Sequence, residues 1–165
     1  MAAIRDPQTL FQHELGMALG AERKVLAMLR KLEQRAQRRE LKQQFHHHLE
    51  ETEGQIKNLE QALQSVGAPS GAHEADSAKG IASEGEKMME KVDEELLDAV
   101  LLAAAAKTEH VEIAMYEGLV KKAEAMGADD VVSLLDENLE QERHTLEEVN
   151  QASDKLAREV ARQPA

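Results

Sequence analysis

The chain has 165 residues, of which 42% are hydrophobic and 2% are aromatic, and it carries a formal net charge of −12. This length favours a single domain, 1–165, and the scarcity of aromatic residues favours packed helices over a sheet. The acidic charge argues against nucleic acid and anionic membranes as partners, and the absence of cysteine excludes disulfides, thiolate metal sites and thiol catalysis.

Five helices are predicted, at 8–36, 39–66, 77–90, 93–126 and 129–158, with a frayed tail from about 158. The first helix begins at Asp6-Pro7, where Asp is a good cap and Pro suits the first helical position. The segment Gly67 to Gly71 breaks the second helix, and Gly127 ends the fourth. The caps predicted for the last three helices are Asp76 or Ser77, Asp93, and Asp129-Asp130.

Apolar residues recur at spacings of three and four along the four long segments, as in the seam of an antiparallel bundle. Two long hairpins joined by a connecting helix have the connectivity of ferritin-like proteins. The sequence therefore predicts an all-α, ferritin-like four-helix bundle of two antiparallel hairpins with a short crossover helix. Leu19, Leu26 and Leu102 stand beside the apolar stripes, so they either form a homodimer interface or widen the core face.

Polar residues interrupt the apolar stripes near their middles. In an antiparallel hairpin, residues equally far from the turn lie at the same depth. Glu22 pairs in this way with Glu51 in the first hairpin, and Glu112 pairs with Glu142 in the second. Because a buried charge costs several kcal/mol unless it is paired or metal-bound, a common layer of acids indicates a function.

Two more polar residues share faces with these acids. His48 lies three residues before Glu51, and Glu109 lies three residues before Glu112. Carboxylates and imidazole inside a four-helix bundle are the ingredients of a di-iron or di-manganese site. The predicted metal ligands are Glu22, His48, Glu51, Glu109, Glu112 and Glu142.

The pattern departs from the usual di-metal arrangement, which has Glu-x-x-His on two of the four helices. Here the residue three positions after Glu51 is Gly54, and the one after Glu142 is Thr145. Three interpretations remain open at this point. The layer is a two-metal centre, or a buried acid network with water or a single weak metal ion, or some of these acids are exposed.

Three segments of the chain form a recognisable set of motifs: His48-Leu49-Glu50-Glu51-Thr52 with Gln55, Glu109-His110-Val111-Glu112-Ile113-Ala114 with Tyr116, and Leu139-Glu140-Gln141-Glu142-Arg143. In these segments the chain resembles the YciE/YciF-type bacterial stress proteins, a ferritin-like family, and the likeness extends over about residues 9–148. This resemblance implies a stress-response protein with a rubrerythrin-like bundle, in the cytoplasm and as a homodimer, but it implies no established reaction or substrate.

Two functions stay open on the sequence alone, and with them the question of whether the chain is an enzyme. The first is a di-iron or di-manganese protein that handles peroxide, oxygen or iron during stress. The second is a metal-free structural or interaction protein that keeps a buried Glu/His layer. The N-terminal segment lacks a secretory signal, so we expect a cytoplasmic protein.

Overall fold

A computed structural model describes residues 3–69 and 71–161. Its five helices begin and end within two residues of the predicted bounds, which confirms the all-α fold. Ser70, in the predicted break, and residues 162–165, in the predicted frayed tail, lie outside the described residues; the single domain and the frayed tail stay predictions. The helices are α1 (Pro7–Arg35), α2 (Arg39–Ser65), α3 (Asp76–Met89), α4 (Glu94–Ala125) and α5 (Asp129–Val160).

The four long helices pair as two antiparallel hairpins, α1 with α2 and α4 with α5. The hairpins pack together through α2 against α5 and through α1 against α4, and α3 lies across α1 and α4. The predicted ferritin-like bundle with a crossover helix is therefore confirmed. Within the described ranges, no helix is both long enough and apolar enough to cross a membrane.

The core of the described residues has two large apolar clusters, one toward each end of the bundle, and a small third cluster of alanines where the crossover segment meets α1. Leu19 belongs to the first cluster and Leu102 to the second, with exposed fractions of 2% and 3%. The idea that these two side chains form an exposed dimer interface is therefore wrong, because they widen the core face; the homodimer itself stays a prediction. The first cluster includes Phe11, Leu15, Leu59, Leu119 and Leu135, and the second includes Leu29, Leu32, Phe45, Leu101 and Leu156.

The helix caps agree with the sequence only in part. The carboxylate of Asp6 accepts a hydrogen bond from the backbone N–H of Thr9 at 2.8 Å, as predicted. Asp93 stands at the N-cap of α4 without a side-chain cap bond. The N-caps of α3 and α5 are Ala75 and Ala128, so the predicted acids lie instead in the first helical turn, where their charge still favours the positive end of the helix dipole.

The crossover segment passes very close to α1. The N–H of His73 donates to the carbonyl of Gly16 at 2.8 Å. A Cβ atom on Gly20 would lie 1.8 Å from the His73 carbonyl oxygen, so this crossing requires glycine. The close approach fixes the start of α3 over the middle of α1.

A buried acid holds the turn between α1 and α2. Asp98, on α4, is 4% exposed, and its carboxylate accepts hydrogen bonds from the N–H groups of Gln37 at 2.8 Å and Arg38 at 3.2 Å. These two backbone groups have no helical partner of their own, so the acid satisfies them. One hairpin is thereby attached to the other at this end of the bundle.

Candidate metal centre

Between the two apolar clusters, each long helix places polar side chains in one layer. Three acids are fully buried: Glu22 on α1, Glu109 on α4 and Glu142 on α5. His48 on α2 is 4% exposed, and Glu112 on α4 is 2% exposed. The layer lies where the apolar stripes are interrupted in the sequence. These acids therefore lie at a common level along the bundle, as the sequence predicts.

Four of these side chains converge on a single point. The ligand atoms of His48, Glu109, Glu112 and Glu142 all lie within 4.8 Å of one another. The His48 Nδ1 atom is 3.5 Å from Glu109 Oε1, and Nε2 is 3.9 Å from Glu142 Oε2. These separations are longer than direct hydrogen bonds and suit groups that bind a common cation.

Glu22 lies beside this group and is held by a hydrogen-bonded chain. The Tyr116 hydroxyl donates to Glu22 Oε1, and the amide nitrogen of Asn138 donates to the Tyr116 oxygen at 3.1 Å. Asn58 donates in turn to Asn138 Oδ1 at 2.8 Å. Every donor points toward Glu22, so its carboxylate is the acceptor at the end of the chain.

Glu51 lies at the edge of the layer rather than inside it. Its side chain is 15% exposed, and its Oε2 atom accepts a hydrogen bond from Thr145 Oγ1 at 3.2 Å. Its Oε1 atom is 3.5 Å from Nε2 of the exposed His47. Of the six predicted ligands, the structure thus brings four together, places Glu22 beside them, and leaves Glu51 between the layer and solvent.

Burial dominates the acid–base properties of the layer. Desolvation raises the pKa of Glu22, Glu109, Glu112 and Glu142, and the charges of neighbouring carboxylates raise these pKa values further. Burial, with a smaller effect of His47, lowers the pKa of His48 to about 4. The imidazole is therefore neutral near pH 7 and free to act as a metal ligand.

The donor set has the chemistry to hold a divalent metal ion. Both carboxylate oxygens of Glu109, Glu112 and Glu142 are buried without a hydrogen-bond partner among the described residues, as is Nε2 of His48. Such groups are costly to bury unless a cation binds them. With Glu22, four buried carboxylates carry a charge of −4 when ionised, which two divalent ions balance. Carboxylate and imidazole suit iron and manganese.

The sequence patterns did not reveal one residue of this region. Asn138 is fully buried and supports Tyr116, and its position four residues before Glu142 on α5 was the available signal. Thr145 occupies a place where a di-metal protein usually has His, and its hydroxyl binds Glu51 instead. The metal-ligand role of the five acids and His48 stays a prediction.

Comparison with known proteins supports the family resemblance. A family model described as a domain of unknown function, DUF892, matches residues 6–162. Protein YciF from Escherichia coli (strain K12) is 36% identical over 147 residues, which cover 88% of this chain and 87% of YciF.

Two solved structures have the same fold as this chain. The crystal structure of the E. coli stress protein YciF matches with a TM-score of 0.89 and 32% identity, over 94% of this chain and 99% of that chain. YcfI from Rhodopseudomonas palustris matches with a TM-score of 0.86 and 32% identity, over 89% of this chain and 94% of that chain. These matches confirm the resemblance inferred from the sequence.

Proposed function

The chain belongs to the DUF892 family, and from this membership and the buried layer we propose that it binds two iron or manganese ions and handles peroxide, oxygen or iron during stress. The observation that carries the proposal is the convergence of His48, Glu109, Glu112 and Glu142 within 4.8 Å with unpartnered buried oxygens. The name of its relative YciF, a stress protein, supports the physiological setting.

Burial restricts the substrate to small molecules. The converging side chains are 0–4% exposed, which excludes a large organic substrate and favours one as small as peroxide or dioxygen. A bound iron or manganese pair supplies the electrons that such a substrate exchanges.

The protein side chains hold and orient this chemistry. Glu109, Glu112 and Glu142 offer carboxylates from two helices of one hairpin, and His48 offers a neutral nitrogen from the other hairpin. The Tyr116 hydroxyl fixes the orientation of the Glu22 carboxylate through its hydrogen bond to Oε1. The apolar clusters on either side limit the entry of water.

One observation favours a second function, a metal-free structural or interaction protein. Burial raises the pKa values of the layer carboxyls, so protonation can neutralise them without a metal ion. Neither Glu51 nor Glu142 is followed by the usual His. In this case removing metal ions by chelation leaves the melting temperature unchanged.

Peroxide turnover tests the proposed function. The protein is reconstituted anaerobically with Mn²⁺ or Fe²⁺, freed of unbound metal, and assayed for hydrogen peroxide consumption and oxygen release. We expect turnover above that of the same concentration of free ion, and a loss of about 100-fold or more in Glu112→Gln. Glu124→Gln, on the exposed surface of the same helix, is the matched control and should keep the wild-type rate. Turnover no faster than that of the free ion contradicts the enzymatic function.

A further inference from the structure

We infer that divalent metal ions enter the buried layer between α2 and α5, with Glu51 and His47 forming a transit site on the way in. The inference rests on the proposed function, because it assigns a route to the ions that the layer binds. It gives Glu51 a role different from that of a permanent ligand. It also explains why one carboxylate of the layer lies at its edge.

The first support is the contrast in exposure. Glu51 has a side chain 15% exposed, whereas the side chains of Glu109 and Glu142 are 0% exposed. Glu22 is also fully buried. Glu51 is thus the predicted ligand that contacts both solvent and the layer.

The second support is the sequence of contacts from solvent to the interior. His47 has a side chain 59% exposed, and its Nε2 atom lies 3.5 Å from Glu51 Oε1. The other oxygen of Glu51 accepts from Thr145, which lies three residues after the buried ligand Glu142 on the same face of α5. Imidazole, then carboxylate, then the buried ligands offer an ion successive replacements for its water shell.

The third support is the placement of the crossover helix. α3 packs on α1 and α4, so it covers that side of the bundle. In the described ranges, α3 does not pack in the same way on α2 and α5, the side where Glu51 lies. An ion therefore meets fewer layers of protein on the α2–α5 side.

Charge favours the same route. The net charge of −12 attracts cations to the whole surface, and the partly exposed carboxylate of Glu51 strengthens that attraction beside the buried layer.

Metal-uptake kinetics test this route. Co²⁺ serves as the probe, because its absorption reports the change from water to protein ligands, and stopped-flow mixing gives its association and dissociation rates. The variants are Glu51→Gln and His47→Ala. The matched control is Glu50→Gln, which removes the same charge from an adjacent position on α2 whose side chain is 64% exposed. A helix rotates about 100° per residue, so Glu50 points away from Glu51.

We expect association to slow by about tenfold in Glu51→Gln, the low end of the rate gains that electrostatic focusing gives. His47→Ala should show a smaller slowing in the same direction. Because a transit residue changes entry and exit together, dissociation should slow as well and Kd should change by less than the association rate. The salt dependence of association should also be weaker in Glu51→Gln than in Glu50→Gln.

Three results overturn the inference. Equal association rates in Glu51→Gln and Glu50→Gln contradict the route while leaving the metal centre intact. If Glu51→Gln raises Kd by faster dissociation and leaves association unchanged, Glu51 is a permanent ligand. Failure of the wild-type protein to take up Co²⁺, Mn²⁺ or Fe²⁺ overturns the proposed function and the route with it.

Discussion

Replacing Glu142 by Gln distinguishes a metal centre from a metal-free acid network, because the change keeps the shape of the side chain and removes its charge. Glu142 is fully buried and belongs to the four residues whose ligand atoms lie within 4.8 Å of one another. If the layer binds metal ions, Gln should weaken binding. If the layer holds only protons and hydrogen bonds, Gln should be neutral or stabilising.

The expected magnitude follows from the linkage between binding and folding. An ion at 100 times its Kd stabilises the folded state by about 2.7 kcal/mol. At roughly 2–4 °C per kcal/mol for a chain of this size, the wild-type melting temperature should rise by roughly 5–11 °C. A loss of about 100-fold in affinity brings Kd close to the ion concentration, and the remaining stabilisation is about 0.4 kcal/mol, or roughly 1 °C.

Without metal, the sign of the effect depends on pH. Burial raises the folded-state pKa of Glu142 above its ordinary value of 4.5. The stability that this group contributes is therefore fully present below pH 4.5 and is lost as the pH rises through the folded-state pKa. Gln does not titrate, so the advantage of Glu142→Gln over the metal-free wild type should grow from pH 5 to pH 8.

The assay is a set of thermal melts followed by circular dichroism, with chelator and with Mn²⁺ or Fe²⁺ in excess. The matched control is Glu147→Gln, an exposed position on the same helix, which should keep the full metal-induced shift. The reasoning is refuted if Glu142→Gln shows the same metal-induced shift as the wild type. It is also refuted if metal leaves both melting temperatures unchanged.

Three further predictions concern pH and packing. Burial lowers the pKa of His48 from 6.5 to about 4, so its neutral form stabilises the fold above pH 6.5 and that stability is lost as the pH falls toward 4. In metal-free protein, urea titrations should show that the wild type loses up to about 3 kcal/mol of unfolding free energy over this pH range and that His48→Gln does not. Identical pH profiles of stability for the two proteins would contradict this prediction. Asp98→Ala should lower the free energy of unfolding by about 3 kcal/mol, because two part-buried backbone N–H groups lose a charged acceptor. A change below about 0.5 kcal/mol would show that the turn does not depend on this acid. Gly20→Ala should displace the crossover segment and increase its cleavage by proteases, because the new Cβ would lie 1.8 Å from the His73 carbonyl oxygen. The control is Gly54→Ala, where the new Cβ has open space, and it should stabilise α2 by about 0.5–1 kcal/mol. Equal protease sensitivity of Gly20→Ala and Gly54→Ala would contradict the close crossing.

The sequence predicted the bundle well because helical periodicity and hairpin symmetry are local properties. Apolar spacing predicted the four long helices and a candidate cap predicted the short one, and equal distance from the turns predicted the common depth of Glu22, Glu112 and Glu142. Glu51 was harder to place, since one step along a helix rotates a side chain by about 100°. That rotation decides between the interior and the edge, and it left Glu51 partly exposed.

Other features depend on partners that are distant in the chain. Asp98 binds backbone groups of a turn about sixty residues earlier, and Asn138 binds the hydroxyl of Tyr116 on the neighbouring helix. The pattern of residue types does not encode such contacts. The burial of Leu19 and Leu102 has a similar origin, because the width of each core face depends on how the helices pack against one another.

Metal content tests the central claim most directly. The wild-type protein and Glu142→Gln are purified without chelator, reconstituted anaerobically with Mn²⁺ or Fe²⁺ and desalted. Their metal content is then measured by inductively coupled plasma mass spectrometry. The charge balance of the layer predicts about two ions per chain in the wild type and a clear reduction in the variant. Less than one iron or manganese ion per wild-type chain would contradict the metal centre and leave the layer as a buried network of protonated acids.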